Sequence, residues 1–271
     1  MGALDEYATT TFTFEGKART VYRRGSGPAV VVIAEMPGIT PKVLEFADRI
    51  VELGCTAVLP HLFGDPGRDP YRKGTRSAVA YVVESIVPAC ISREFTVLAT
   101  GKTSPVIEWL KALARQTHEE CGGPGVGVVG MCFTGGFALA MMAEPAVLAP
   151  VLSQPSLPFS IGKGRKHSID ISDADLSTAK ARCAAESLTV LGLRFTGDPL
   201  VPAERFAFLR EQLGDHFVSC EIDSSKGNPF GNPTNAHSVL TEHLIDEPGS
   251  PTRDALDKVL DLYRSKLLPS P

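Results

Sequence analysis

Four residues carry side chains able to act together as nucleophile, base and acid, and each follows a segment that reads as a strand or the loop after one. Cys132 lies in Gly130-Met131-Cys132-Phe133-Thr134-Gly135-Gly136, directly after the apolar run Val126–Val129. A tight strand-to-helix turn needs small residues around a reactive side chain, and it sets that side chain at the next helix's amino end, where the dipole favours thiolate. Asp198 sits in Gly197-Asp198-Pro199-Leu200-Val201-Pro202 after a second strand-like run, and His237 in Asn235-Ala236-His237-Ser238 further on. Taken singly, these are a buried cysteine, an Asp-Pro turn and a surface histidine. Taken in order, a thiol, a carboxylate and an imidazole can run an acyl transfer: the sulfur attacks, the imidazole moves the proton and the acid orients the imidazole. Glu35 directly follows the run Ala29–Ala34, where a carboxylate entering a buried region needs a partner.

The elements that must position these residues follow from periodicity. Ala29–Ala34 is a continuous apolar run of strand length, the mark of a strand covered on both faces. Thr40 is a plausible N-cap with Pro41 at the first helical position. Val43, Leu44, Phe46, Ala47, Ile50 and Val51 then make one apolar stripe, and Gly54 ends it. Cys55–Leu59 is the next expected strand, Val106–Ala114 a helix, Val126–Val129 a buried strand and Gly136–Ala143 a helix of small apolar residues. Leu188–Phe195 and Phe217–Ile222 are further strands, and Pro251–Leu268 is a final amphipathic helix. Strands alternating with helices predict an α/β architecture, a mostly parallel central sheet with helices on both faces. The Gly/Pro/Ser/Asn-rich stretches Gly64–Gly74, Ser153–Gly164 and Ser224–Asn235 read as loops, so residues 1–271 are expected to form one domain. In such sheets ligands bind beyond the strands' carboxyl ends, where Glu35, Cys132, Asp198 and His237 all belong.

Composition narrows the function further. Hydrophobic residues make up 43% and charged residues 21% of the 271, ordinary for a globular protein. The 27 Lys+Arg against 31 Asp+Glu give a net charge of −4 without a basic stripe, so nucleic acid is not an expected partner. Six cysteines (Cys55, Cys90, Cys121, Cys132, Cys183, Cys220) include no C-x-x-C pair, which argues against a zinc ribbon or disulfide framework and for a reducing compartment. The start, Met1–Gly16, shows no secretory pattern, and a cytoplasmic location is expected. The long uncharged stretch Cys121–Ala143 is broken by two glycine clusters and reads as strand, turn and helix, not a membrane span. No dinucleotide fingerprint, P-loop or metal-ligand cluster is evident, so neither cofactor nor metal is expected. His61, His118, His167, His216 and His243 stand outside such turns and read as structural.

Cysteine, aspartate and histidine in that order, each in a loop after a strand, is the chain order of the α/β-hydrolase triad. The matching pieces Ala34-Glu35-Met36-Pro37-Gly38, Gly130-Met131-Cys132-Phe133, Gly197-Asp198-Pro199-Leu200-Val201-Pro202 and His237-Ser238 resemble the dienelactone hydrolases, cysteine-using members of the α/β-hydrolase fold. The resemblance implies Cys132 as nucleophile, His237 as its base, Asp198 as the orienting acid and Glu35 as the family's extra glutamate, which interacts with the thiol. It also implies an oxyanion hole from the backbone N–H groups of Met36 and Phe133, and a small ester or lactone as substrate. A monomer or small homo-oligomer is expected. Ser238 and Arg93 are weaker substrate contacts. Two positions depart from the family pattern. Thr134 stands where glycine is usual, predicting a slightly different elbow, and Thr241 replaces the arginine that holds a substrate carboxylate. The competing readings are a non-catalytic α/β-hydrolase-fold protein that binds a small molecule or partner, and a thiol-transfer role that would need a second cysteine near Cys132.

Overall fold

Strand formation begins at the amino end with a hairpin, β1 (Ala8–Phe14) and β2 (Lys17–Gly25), turned by Glu15 and Gly16 at positive φ. The computed structural model describes residues 3–72, 74–91, 94–95, 100–160 and 162–269. After the hairpin come β3 (Ala29–Ile33), α1 (Pro41–Glu52), β4 (Thr56–Pro60), α2 (Thr75–Ile91), α3 (Val106–Cys121), β5 (Val126–Met131) and α4 (Phe137–Ala140). The second half adds β6 (Val147–Ser153), α5 (Lys163–Lys166), α6 (Asp173–Glu186), β7 (Val190–Phe195), α7 (Ala203–Leu213), β8 (Phe217–Ile222) and α8 (Pro251–Leu267).

The eight strands form one sheet in the order β1-β2-β4-β3-β5-β6-β7-β8. β4 to β8 and β3 run parallel, while β2 is antiparallel to β4 and β1 to β2. This is the expected α/β-hydrolase fold, with an antiparallel hairpin at one edge. Alternation along β3 explains its unbroken apolar run. Val31 and Ile33 pack into one core with α3, α4 and α6, whereas Val30 and Val32 pack into the other with α1 and α8. Buried on both faces, such a strand has no polar side to show.

The expected elements recur with small shifts at their ends. Thr40 caps α1 by accepting from Val43 N–H at 3.4 Å, with Pro41 at the first helical position. The segment expected as one helix over Gly136–Ala143 is instead a short 3-10 turn at Cys132–Thr134, then α4 and a second 3-10 turn at Met141–Ala143. Close packing of this segment explains why its residues are small: a Cβ at Gly135 would lie 2.4 Å from Pro155 Cα. Among the described residues no helix is long and apolar enough to cross a membrane.

Candidate active site

Cys132 begins the turn that leaves β5 and has φ +54°, a left-handed backbone that a non-glycine residue adopts at a cost of order 1–3 kcal/mol. Three neighbours hold it there. At Gly130 a Cβ would come within 2.1 Å of Thr134 O, so only glycine lets the turn close. Thr134, fully buried, accepts from Met131 N–H at 3.0 Å and reaches Ile33 O at 2.8 Å. The threonine that departs from the family pattern therefore stitches the elbow to the adjacent strand β3, next to Glu35. Ser156 N–H donates to Cys132 O at 2.9 Å, and the Ser156 hydroxyl lies 3.6 Å from Cys132 Sγ.

The loop after β7 carries Asp198, whose Oδ1 accepts from Leu200 N–H at 2.9 Å and whose Oδ2 lies 2.6 Å from His237 Nδ1. Gly197 N–H donates to Ser224 Oγ at 2.9 Å, tying this loop to the one after β8 that leads to His237. The His237 Nε2 atom is buried and has no hydrogen-bond partner. One ring nitrogen of His237, Cys132 Sγ and a carboxylate oxygen of Glu35 all lie within 4.8 Å of one another. Burial opposes charge on His237, but the Cys132 sulfur and the Asp198 carboxylate outweigh it, and the imidazole pKa is held well above its usual value.

Glu35 is buried and has no cation among its hydrogen-bond partners. Its Oε2 accepts from Ser238 Oγ at 2.6 Å and Gln154 Nε2 at 3.2 Å, and its Oε1 from the Thr241 hydroxyl. Thr241, which replaces an arginine in the family pattern, thus fixes an acid in place. Met36 and Phe133 line the same cavity as Cys132. The sequence therefore led to Glu35, Met36, Cys132, Phe133, Asp198, His237 and Ser238, and the fold brings them together; Arg93 lies outside the described residues.

Three participants had no signal in the sequence. Gln154 and Ser156 sit in the loop after β6, whose position is set by sheet order alone, and Gln154 has φ +37°. His243, expected to be structural, accepts from Ser238 N–H at 3.2 Å through Nδ1 and lines the cavity. Burial and then the neighbouring His237 push its pKa down, consistent with a neutral ring accepting at Nδ1.

These groups open onto a cavity of about 280 Å³, slightly below the roughly 300–1,000 Å³ of sites for drug-sized ligands. Val82 and Ile86 of α2, with Met36, Phe133, Phe159 and Leu200, form its apolar wall. A larger groove of about 410 Å³, lined in part by Asp65, Arg68 and Tyr81, holds none of the nucleophile, histidine and acid set. Glu35, Cys132 and His237 also form the one group of metal-capable side chains among the described residues. The described cysteines are free, and Cys132 Sγ meets the Ser156 hydroxyl and not a second thiol among the described residues.

An α/β-hydrolase sheet with a cysteine at the elbow, and a histidine–aspartate pair on the following loops, defines a class of protein. The dienelactone hydrolase family profile matches residues 17–264, and the chain belongs to that family of ester-cleaving hydrolases. No curated protein matches the chain by sequence. Among solved structures it is similar to a dienelactone hydrolase from Anabaena variabilis, at TM-score 0.59 and 16% identity, covering 96% of this chain and 98% of that one. A dienelactone hydrolase-like promiscuous phosphotriesterase from metagenomic libraries superposes at TM-score 0.60 and 16% identity, over 96% and 98% of the two chains. A cold-adapted esterase from an Arctic intertidal metagenomic library gives TM-score 0.55 and 15% identity, over 96% and 93%. At such identities the likeness speaks for the fold.

Proposed function

We propose that this protein hydrolyses small carboxylic esters or lactones through Cys132, His237 and Asp198, by way of a thioester acyl-enzyme. Residues 1–271 are read as one hydrolase domain, supported by a single sheet running from residue 8 to residue 222. The observation that carries the mechanism is His237: Nδ1 is held by Asp198 at 2.6 Å while the buried Nε2 is left free beside the cysteine. A carboxylate on Nδ1 fixes the tautomer, so the free nitrogen is the one that exchanges a proton with the sulfur.

In the first step the Cys132 thiolate attacks the carbonyl carbon, forming a C–S bond while charge moves to the carbonyl oxygen. The N–H groups of Met36 and Phe133 donate to that oxyanion, each bond worth roughly 3–4 kcal/mol in comparable sites. The tetrahedral adduct collapses, the C–O bond breaks and His237 gives its proton to the leaving alkoxide. Water, losing a proton to His237, then attacks the thioester, and the acid departs as the thiolate re-forms. A lactone leaves as a hydroxy acid. Glu35 is read as the extra acid that interacts with the thiol, a reading supported by its lying within 4.8 Å of both sulfur and ring nitrogen. Thiolate attacks and departs readily, so activated esters and lactones should react faster than amides.

The test is hydrolysis of an activated ester and of a dienelactone by the wild type and by Cys132→Ala, with iodoacetamide labelling mapped by mass spectrometry. Turnover by the wild type alone, with Cys132 labelled fastest, supports the proposal. No turnover of any substrate, with Cys132 inert in an intact fold, would leave a binding protein in its place.

A further inference from the structure

The cavity carries an excess of negative charge beyond what the reaction uses. Glu35 and Glu242 both line it, and no lysine or arginine does so among the described residues. Glu35 is held by two hydroxyls and an amide, neutral donors that fix the carboxylate, and a His237 ring nitrogen lies within 4.8 Å of it. Glu242 is half-buried. Burial pushes its carboxyl pKa up, Glu35, Asp69 and Glu45 push it the same way, and Lys42 alone opposes them. Lys42 is itself engaged by Glu45 at 2.7 Å and is about half exposed, so this one rim lysine is shared between Glu45 and Glu242. An imidazolium at His237 is already answered by the Asp198 carboxylate 2.6 Å away, so it does not cancel both glutamates. The rest of the lining is apolar from Met36 to Leu200 apart from the neutral Thr40, Tyr71, Ser156, Ser238 and His243, so among the described residues it sets no side-chain cation against an anion.

We infer that Glu242, acting with Glu35, makes this site reject substrates bearing a carboxylate and admit esters or lactones whose acyl group is apolar and uncharged or cationic. Glu242 is in this view a specificity-determining residue. The substrate half of the inference rests on the hydrolase reading above; the electrostatic half can be read without turnover.

The full chain is treated with a matched pair of methanethiosulfonate reagents, one trimethylammonium and one sulfonate, and the rate at Cys132 is read from its peptide mass and normalised to glutathione. A unit charge about 10 Å away at an effective dielectric of about 20 changes such a rate by roughly tenfold. The normalised cation-to-anion ratio should therefore exceed about tenfold at low salt and shrink as salt is raised. In Glu242→Gln it should fall by about tenfold or more, and in Glu242→Lys further still. Butyrate-like nitrophenyl esters ending in methyl, carboxylate or trimethylammonium should show the same order in kcat/KM, with the carboxylate slowest. The cationic arm matters because simple exclusion of charge from an apolar pocket would slow both charged esters equally. A wild-type ratio near one overturns the inference, as does a Glu242→Gln ratio equal to the wild type's; the wild-type and salt results decide it even if the variants fail to fold. Charge-biased labelling without hydrolysis of any ester would keep the field and remove the hydrolase reading. A Cys132 inert to both reagents would remove both.

Discussion

Replacing Thr134 with valine keeps the side chain's shape and removes only its hydroxyl. That hydroxyl is fully buried, accepts from Met131 N–H at 3.0 Å and reaches Ile33 O at 2.8 Å. Both groups belong to buried positions of central strands, and each buried polar group left without a partner costs roughly 1–3 kcal/mol. Allowing for partial relaxation, Thr134→Val should lose about 3 kcal/mol. For a chain of this size that is a fall in Tm of roughly 6–12 °C. Thr134→Ser keeps the hydroxyl and gives up one methyl, so it should lose only about 1 kcal/mol. The same bonds hold the strained turn at Cys132, so the valine variant should also lose kcat more than it raises KM. Urea and thermal unfolding of the three proteins, with ester kinetics, form the assay. A valine variant within about 0.5 kcal/mol of wild type, or a serine variant as weak as valine, would refute the view that this hydroxyl ties the elbow to β3.

Asp198→Asn should cut kcat/KM by roughly 10³ or more while leaving the fold intact, because the amide no longer holds His237 in the working tautomer; steady-state kinetics with circular dichroism checks it. The same variant tests a pH dependence. His237 is raised above its ordinary value of about 6.5 in the fold, so the stability it contributes is fully present below that value and is lost as pH rises through the folded value. Unfolding measured across this window should show a slope in the wild type that is shallower in Asp198→Asn. Arg205 is fully buried and donates to the carbonyls of Pro155, Pro158 and Ser168 at 2.6–2.8 Å; burial pushes its pKa down to about 10. Arg205→Met should lose roughly 3–5 kcal/mol, by orphaning those carbonyls, and should raise KM, because they hold the loop bearing Ser156 and Phe159. Arg205→Lys, with three donors instead of five, should recover only part of the loss, as read by thermal unfolding.

Much of this site could be read from the chain because its members share one rule: each follows the carboxyl end of a strand in a parallel sheet. The runs at Val126 and Leu188 and the turns after them carried Cys132 and Asp198 directly. What stayed hidden did so for local reasons. β1 exposes all four of its threonines and buries Phe12, so it lacks the alternation that marks a half-buried strand. β6 is a central strand with Pro150 inside it, paired against Val128, contrary to the usual confinement of proline to edges. Its loop delivers Gln154 and Ser156, whose contact with Glu35 and Cys132 depends on β6 lying beside β5. α6 buries little beyond Leu176, Ala179 and Cys183, and α7 buries an arginine, so neither presents a clean apolar stripe. The partners of Glu35 lie 119 to 206 residues away along the chain, a distance over which spacing carries no information.

The measurement closest to the central claim is the acyl-enzyme itself. Wild type and Cys132→Ala are mixed with a nitrophenyl ester, quenched in acid within the first turnover and digested, and the peptide carrying residue 132 is weighed. The account predicts one acyl group on that peptide, formed in the wild type before steady state, cleaved by hydroxylamine as a thioester should be, and absent in Cys132→Ala. Acyl groups found only elsewhere, or steady hydrolysis by Cys132→Ala at the wild-type rate, would contradict it.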